Sequence, residues 1–353
     1  MYAEGILSRR GVSAWQSPWL LSKRWDLTYI SLSAILVPTP YILFQVLNGL
    51  GLAVSDANTA VDIIVALIVG GPHMVSTYTL TFFDSNFTHR HRLYVGLALA
   101  LPIMVTVLAF RNLTLLLTIF MMWASVHVLH QIAYIADCYR VRGSETHSLV
   151  SKGLDYAVIF TSLYPMAMVK LVNNSFVISD TRITIPFLVG QVWAIYAAQA
   201  VFFICLALWV RKTLLEMLQH RANFPKTLLL AITIVLAYFV PASTNLDVAF
   251  QGMNVWHSFQ YLGLTWYLNR LRQEHGEITS PVVNRVSGSN RGPLYYLLNV
   301  GMTLAVAVMF VVLHFVLQVS SIQSYYIVIL SCLLVHYYFD HFMFLRVNDL
   351  VRA

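Results

Sequence analysis

Long apolar stretches alternate with short polar connections along almost the whole chain. A membrane-spanning helix needs about 20 predominantly apolar residues, and ten stretches are candidates, of which the third and seventh are short. They cover residues 27–52, 60–83, 93–110, 112–136, 153–174, 185–210, 227–242, 247–268, 294–318 and 324–345. Because proline removes a backbone donor, Pro165 predicts a kink and Pro241 a break. The pattern predicts an all-α, polytopic membrane bundle of about ten helices, with a re-entrant pair at 227–242 and 247–268 as an alternative.

The composition agrees with this pattern. The chain is 58% hydrophobic and 10% charged, with a mean hydropathy of +0.69, whereas soluble domains are about 25% charged. The three cysteines lie in separate segments without CxxC spacing, so neither a disulfide framework nor a thiolate metal site is expected.

The positive charge is unevenly distributed among the predicted connections. The formal net charge is +7, and placing both termini in the cytoplasm puts 19 of the 22 Lys and Arg residues on the cytoplasmic side. Only Arg111, Lys170 and Arg182 then face outward. This asymmetry is the positive-inside signal. It predicts an N-in, C-in multi-pass protein of a bacterial inner (plasma) membrane, without a nucleic-acid partner.

Three regions are predicted on this basis. Residues 1–26 form a cytoplasmic interfacial segment, because tryptophans stand among basic residues there. The same segment lacks a compact apolar core before a cleavage site, so we expect no removable signal peptide. Residues 27–346 form a single membrane domain with a polar cytoplasmic loop near 271–293, and residues 347–353 form a C-terminal tail.

Six histidines lie inside, or within a turn or two of the ends of, the predicted helices. They are His73, His127, His130, His257, His336 and His341. A charged side chain at membrane depth costs at least about 2.5–3.5 kcal/mol, and a neutral imidazole still needs a partner. In the predicted topology the first five share one depth within roughly 8 Å, at 1.5 Å per residue, on four helices that run in the same direction. We therefore predict a shared metal centre with all six as ligands, although His341 points away from His336 unless the helix is distorted.

Local spacing adds candidate partners on two helices. His127 and His130 are three residues apart and share a helix face, with Gln131 beside them. His336 and Asp340 are four apart on one face. Asp340 is therefore a candidate catalytic residue, either as a ligand or as a base beside the metal.

Further candidates stand close to His257 and at the inner membrane surface. Gln260 and Tyr261 lie on the face of His257, where they can orient it through its second nitrogen, as Gln131 can orient its own neighbours. Tyr261 is the second candidate catalytic residue. His89 and His91 follow the second predicted helix and are candidates for an additional metal site.

The motifs around these residues resemble those of histidine-rich membrane non-haem iron oxygenases. HVLHQ is similar to one histidine box of the fatty-acid desaturase and hydroxylase class. A further resemblance is to the Brp/Blh-type carotene dioxygenases, and the chain differs from them at Met74 and Tyr261, where they have glycine and histidine. The shared windows, in the same order, are GGPH at His73, HVLH at His127 and His130, WHS at His257, and HYYFD at His336 and Asp340. The resemblance implies iron held by these histidines and oxidation of a lipophilic substrate.

These observations favour an iron-dependent membrane oxidoreductase. One or two non-haem irons would be held by imidazoles, with positions left for O₂ and substrate. A carotenoid or lipid would arrive from the bilayer and undergo oxidative cleavage, hydroxylation or desaturation, and an electron donor protein is a candidate partner. Two alternatives remain open: a haem b electron-transfer protein with axial histidines, and a transporter with a histidine relay for protons or metal ions.

Overall fold

The computed structural model describes residues 18–143, 148–178, 181–186 and 189–345. The predicted interfacial segment 1–26 is therefore described only from residue 18, and the predicted tail 347–353 lies outside the described residues. Within the described ranges the chain is helical, apart from connections and one antiparallel pair of two-residue strands, β1 (Val177–Ile178) and β2 (Thr181–Arg182). The predicted all-α class is confirmed.

The first half of the described chain contains ten α-helices. They are α1 (Lys23–Asp26), α2 (Thr39–Gly49), α3 (Val54–Val65), α4 (Gly71–Ser76), α5 (Ser85–Arg90), α6 (Arg92–Ala98), α7 (Ala100–Arg111), α8 (Leu113–Arg142), α9 (Leu149–Ser162) and α10 (Tyr164–Val172). Short 3₁₀ or π-helical turns connect several of these helices, so the chain remains helical across the junctions. These turns are Leu27–Ser31 and Ala66–Gly70 (π-helical) and Leu32–Leu36 and Thr77–Thr79 (3₁₀).

The second half contains six more α-helices. They are α11 (Val192–Leu218), α12 (Phe224–Phe239), α13 (Leu246–Glu274), α14 (Pro281–Val286), α15 (Gly292–Val311) and α16 (Ser321–Phe344). A 3₁₀ turn, Val240–Ala242, follows α12, and a π-helical turn, Val312–Val316, follows α15. The short helix α14 lies within the stretch 271–293 that the sequence predicts as a polar loop.

Nine helical stretches of the described chain are long and apolar enough to cross a membrane. They are Lys23–Gly49, Val54–Thr79, Arg92–Arg111, Leu113–Arg142, Leu149–Val172, Val192–Leu218, Phe224–Ala242, Gly292–Val316 and Ser321–Phe344. Each matches one of the ten predicted segments. The protein is thus a multi-pass helical membrane protein.

The tenth predicted segment corresponds to α13, which is long enough but less apolar than the other nine. It packs against α2, α3 and α4, and its polar side chains find partners inside the bundle. Gln260 Nε2 donates to the backbone oxygen of Ile30 (2.6 Å), and Asn269 Nδ2 donates to Thr79 Oγ1 (2.8 Å). Polar groups are tolerated at membrane depth when neighbouring helices satisfy them. This explains how a helix of low hydropathy can lie among nine apolar ones.

Prolines interrupt the helices where the sequence predicts it. Helix α9 ends at Ser162 and α10 starts at Tyr164, with Pro165 in its first turn. Pro241 lies in the 3₁₀ turn that follows α12. Proline fits a first helical turn because the amide hydrogen that it lacks has no intrahelical acceptor there.

The GGPH segment allows a close helix crossing just before His73. A Cβ atom added to Gly71 would lie 2.2 Å from Thr303 Cγ2 on α15, so only glycine permits this approach. The π-helical turn that ends at Gly70 precedes the crossing and shifts the register of the helix. This local geometry sets the direction in which His73 points.

A buried cluster of charges joins the ends of α8, α9, α11 and α12. The Asp155 carboxylate on α9 accepts hydrogen bonds from Arg140 of α8, from Lys212 Nζ of α11 (2.5 Å) and from Trp209 Nε1 (3.1 Å). Lys226 Nζ of α12 lies 3.5 Å from the same carboxylate. Buried charges are tolerated only when paired in this way. The cluster fixes the end of α8, the helix that carries His127.

Candidate metal centre

Four buried imidazoles from four different helices meet in the interior of the bundle. They belong to His73 of α4, His127 of α8, His257 of α13 and His336 of α16, and one nitrogen of each lies within 4.8 Å of the others. Each side chain is at most 4% exposed. Among the described residues this is the one group of three or more His, Cys, Asp or Glu side chains close enough to share an ion.

Within each of two neighbouring pairs, α8 with α16 and the α4 segment with α13, the helices run in the same direction. His127 of α8 packs against Tyr337 of α16, and seven residues further along both helices Tyr134 packs against Phe344. The order of contacts is therefore the same on the two helices. The α4 segment and α13 show the same order, from the His73–His257 ring contact to the hydrogen bond between Thr79 and Asn269. Parallel neighbours with this register bring the four histidines to one level.

The spacing of two of the nitrogens already suits ligands of a single metal ion. His127 Nε2 and His257 Nε2 are 3.2 Å apart. Metal–nitrogen distances of about 2.0–2.1 Å place adjacent ligand nitrogens about 2.9–3.4 Å apart. The Nε2 atoms of His73 and His336 are buried without a hydrogen-bond partner. Orphaned buried polar atoms are rare, and a shared ion would satisfy both. The residues present therefore fit a metal.

Hydrogen bonds on the opposite ring nitrogens orient two of the imidazoles. His73 Nδ1 lies 3.2 Å from the carbonyl oxygen of Gly70, and His336 Nδ1 lies 2.5 Å from Thr77 Oγ1. Donation from Nδ1–H in each case places the free lone pair on Nε2. A proton fixed on the outer nitrogen is the usual arrangement of histidines that bind metals.

Asp340 lies against the histidine group and has one oxygen unused. Its Oδ1 accepts hydrogen bonds from the Tyr261 hydroxyl and from Thr77 Oγ1 (3.0 Å). Its Oδ2 has no hydrogen-bond partner and lies 3.5 Å from His336 Nε2 and 3.8 Å from His127 Nε2. A fully buried carboxylate is costly without a nearby positive charge. A cation held by the four histidines would supply that charge.

Gln131 and Gln260, which are predicted to orient histidines, donate hydrogen bonds to backbone oxygens and not to an imidazole nitrogen. Gln131 Nε2 donates to the backbone oxygen of His257 (3.2 Å) and to Gln260 Oε1 (3.1 Å). The second nitrogen of His257, Nδ1, has no hydrogen-bond partner. The expectation that Gln260 and Tyr261 orient His257 through this nitrogen is therefore wrong. These side chains point instead toward Ile30 and Asp340.

His130 and His341 lie outside the four-histidine group. Their ring centroids are 5.4 Å apart, and His341 is exposed. Three residues along a helix leave side chains about 60° apart, and five leave them about 140° apart. With His127 and His336 directed at the centre, His130 and His341 therefore turn toward each other at its edge.

The two surface histidines are also outside the group. His89 is exposed, and its Nδ1 lies 2.8 Å from the backbone oxygen of Ser85. The His91 ring packs against Phe87 and Phe342. The structure thus brings neither residue to the centre. Among the described residues, neither belongs to a group of three or more potential metal ligands close enough to share an ion, as an additional site would require.

Thr77 is the residue of this site that the sequence analysis missed. Its hydroxyl contacts His336, Asp340 and Tyr261, the last at 2.8 Å. It follows His73 by four residues, which places both on one helix face. A hydroxyl one turn after an intramembrane histidine was the available signal.

Two cavities flank the centre on the side of the N-terminal halves of these helices. One of about 140 Å³ lies between the α3–α4 segment, α13, α15 and α16, and it ends at Gly70, Met74 and Leu333. The other, of about 100 Å³, is bounded by α8, α10 and α13 and is lined almost entirely by apolar side chains. Phe250 and Ile178 line both cavities.

Comparison of the chain with protein-family models, with curated proteins and with solved structures gave no match. The geometry of the site is therefore the basis for inferring the function.

Replacing a histidine of the group should remove the metal. In purified protein, we expect His73→Ala or His336→Ala to lower the bound metal to less than about a tenth of the wild-type content, because each removes a ligand from a closed set. His130→Ala and His341→Ala are the matched controls and should keep it. Elemental analysis by mass spectrometry measures this. Equal loss in both pairs would contradict the assignment.

Removing the Thr77 hydroxyl should weaken the centre without removing a ligand. Thr77→Val keeps the shape of the side chain but deprives His336 of its orienting partner, which should lower metal affinity about 10–100-fold. Thr77→Ser retains the hydroxyl and should bind as the wild type does. Competition with a chelator of known affinity gives both values. Unchanged affinity in Thr77→Val would show that this hydrogen bond does not orient the ligand.

Proposed function

We propose that the protein is a membrane-embedded non-haem iron oxidoreductase that acts on a lipophilic substrate. The observation that carries this proposal is the meeting of four buried imidazoles beside one buried carboxylate. Oxygenation, desaturation and hydroxylation are the reaction types that such a centre supports. The resemblance of the histidine motifs to membrane iron oxygenases points to the same class.

The donor set favours iron among the metals that imidazole binds. Imidazole also suits zinc, copper and nickel, but imidazole with carboxylate and open positions is typical of non-haem iron. His73, His127, His257 and His336 would hold one ion, and Asp340 is close enough to become a further ligand. Such a set leaves room for O₂, which a bound iron would activate. A second iron is not required by this geometry.

The protein's own groups would handle protons beside the metal. Asp340 Oδ2 has no hydrogen-bond partner and can take a proton from a reacting group. Tyr261 and Thr77 hold the other carboxylate oxygen and so fix the direction in which Oδ2 points. General acid–base groups placed in this way contribute about 10²–10⁴-fold to rate. Full burial of the site keeps bulk water away from the reacting atoms.

A lipophilic substrate, such as a carotenoid or another lipid, fits the surroundings of the centre. The site lies within helices of membrane-spanning length, and the cavity of about 100 Å³ beside α8 and α13 has apolar walls. Such a molecule would reach the centre laterally from the bilayer. O₂ partitions into the same apolar phase, and an electron donor protein would supply reducing equivalents.

The geometry supports this proposal over the two alternatives from the sequence. Ring centroids of His73 and His336 are 4.4 Å apart, and those of His127 and His257 are 4.9 Å apart. Imidazoles in edge-to-face contact leave a centre the size of an ion rather than of a porphyrin. A relay across the membrane would need histidines in a string along the helices, whereas these four occupy one level.

We further propose ten membrane spans, with α13 as the tenth, and both termini in the cytoplasm of a bacterial inner membrane. The distribution of Lys and Arg residues supports this orientation. It places the four histidines in the cytoplasmic half of the bilayer, where a cytoplasmic electron donor can approach.

Metal content and turnover of purified protein test the proposal. We expect about one iron per chain, no Soret band, and O₂ consumption when a reductant and a membrane lipid extract are supplied. Asp340→Asn should keep most of the iron but slow turnover about a hundredfold, because the proton acceptor is lost. Glu274→Gln, at an exposed acid at the end of α13, is the control. Haem, or zinc without iron, would contradict the proposal.

A further inference from the structure

We propose that the cavity of about 140 Å³ binds an elongated lipophilic molecule with a hydrogen-bond-donating head group, either hydroxyl or ammonium, and that Asp62 recognises this head group. The assignment of this molecule as substrate rests on the proposed function. The binding site itself stands on the cavity and its lining.

The cavity extends along the bundle away from the histidines. Its inner end is formed by residues within one turn of the proposed metal ligands, including Gly70, three residues before His73, and Met74, the residue after it. Its outer end is formed by Asp62, Asp247 and Tyr325, which precede His73, His257 and His336 by ten or eleven residues. At a rise of 1.5 Å per residue, the outer end is about 15–17 Å from the histidine level. The bound molecule is therefore long rather than compact.

The outer end offers a hydrogen-bond acceptor held in a fixed orientation. Asp62 Oδ1 accepts from Gln251 Nε2 (2.8 Å), Gln251 Oε1 accepts from Asn254 Nδ2 (3.0 Å), and Asn254 Oδ1 accepts from Ser258 Oγ (3.0 Å). This chain of amides runs along α13 and fixes one carboxylate oxygen of Asp62. Among the described residues nothing donates to the other oxygen, and no basic side chain forms an ion pair with Asp62.

A donor on the ligand would satisfy this oxygen. A buried or half-buried carboxylate gains most from a charge-assisted hydrogen bond. An anionic head group would meet repulsion from the Asp62 carboxylate, at an end of the cavity that a second acidic residue, Asp247, also lines. The cavity should therefore bind alcohols and amines more tightly than fatty acids and acidic phospholipids.

The remaining walls match an apolar body. Between the two ends most of the lining is apolar, with side chains such as Val306, Ala307 and Ile329, and the polar side chains of Asn254 and Thr303 also line it. Mostly apolar walls with a small number of polar groups are typical of sites that bind a lipophilic ligand and fix its orientation. A molecule anchored at Asp62 would direct its apolar part toward the histidines.

Binding of matched lipid probes tests the inference. Oleyl alcohol, oleylamine, oleic acid and octadecene share the apolar chain and differ in the head group. We expect purified full-length protein to retain the alcohol or the amine at least about tenfold more tightly than oleic acid or octadecene, as native mass spectrometry in detergent would show. Whichever of the alcohol and the amine binds more tightly identifies the head group that the site prefers.

Variants assign the selectivity to Asp62. Asp62→Asn should lose about tenfold in affinity for the favoured probe, whereas Asp56→Asn, at an exposed acid on the same helix, should not. Ala307→Trp fills the cavity and should weaken all four probes. Metal content should stay at the wild-type level in all three variants.

Two results would overturn the inference. The first is wild-type protein that binds oleic acid or octadecene as well as it binds the alcohol and the amine, a measurement that needs no variant. The second is Asp62→Asn protein with unchanged selectivity. Head-group selectivity in a protein without iron would leave this binding site intact and contradict only the proposed oxidoreductase.

Discussion

The interior of a bilayer offers no water, so each polar group that the chain buries there must find its partner within the protein. This constraint governs the centre of the bundle. His73, His127, His257 and His336 point at one another, and the nitrogens of His73 and His336 that face inward have no hydrogen-bond partner. A bound cation would satisfy these nitrogens and would balance the adjacent Asp340 carboxylate. The hydrogen bond between Thr77 and His336 would then keep the lone pair of His336 directed at that ion.

The same constraint explains why the most polar long helix occupies such a central position. Helix α13 carries His257, Tyr261 and the chain of amides that ends at Asp62. Lipid-facing helices could not carry these groups without unsatisfied polar atoms. Because α13 packs among apolar helices, this one helix can supply the candidate ligand His257, the Tyr261 hydroxyl that donates to Asp340, and part of the cavity wall. Asp62 lies on the same helical stretch as His73, and Asp247 lies on the same helix as His257. A ligand held at Asp62 would therefore extend along these helices toward the histidines.

Much of this arrangement could be predicted from the sequence. Apolar stretches of membrane length predict the nine spans, and the shared depth of His73, His127, His257 and His336 predicts their meeting. Helical spacing alone could not separate His127 from His130, because residues three apart share a broad face and only packing decides which one turns inward. The spacing of four residues from His73 could have drawn attention to Thr77, but its partners His336, Asp340 and Tyr261 lie on helices far apart in the chain. The same holds for the contact of Gln131 with His257 and Gln260, and a short sequence window does not contain such contacts.

X-ray absorption at the metal edge of the iron-loaded protein tests the central claim most directly, because it reports the ligands of the bound ion. The account predicts one metal surrounded by about four imidazole nitrogens at about 2.0–2.2 Å. A spectrum dominated by sulfur ligands, or one with no imidazole signal, would contradict it.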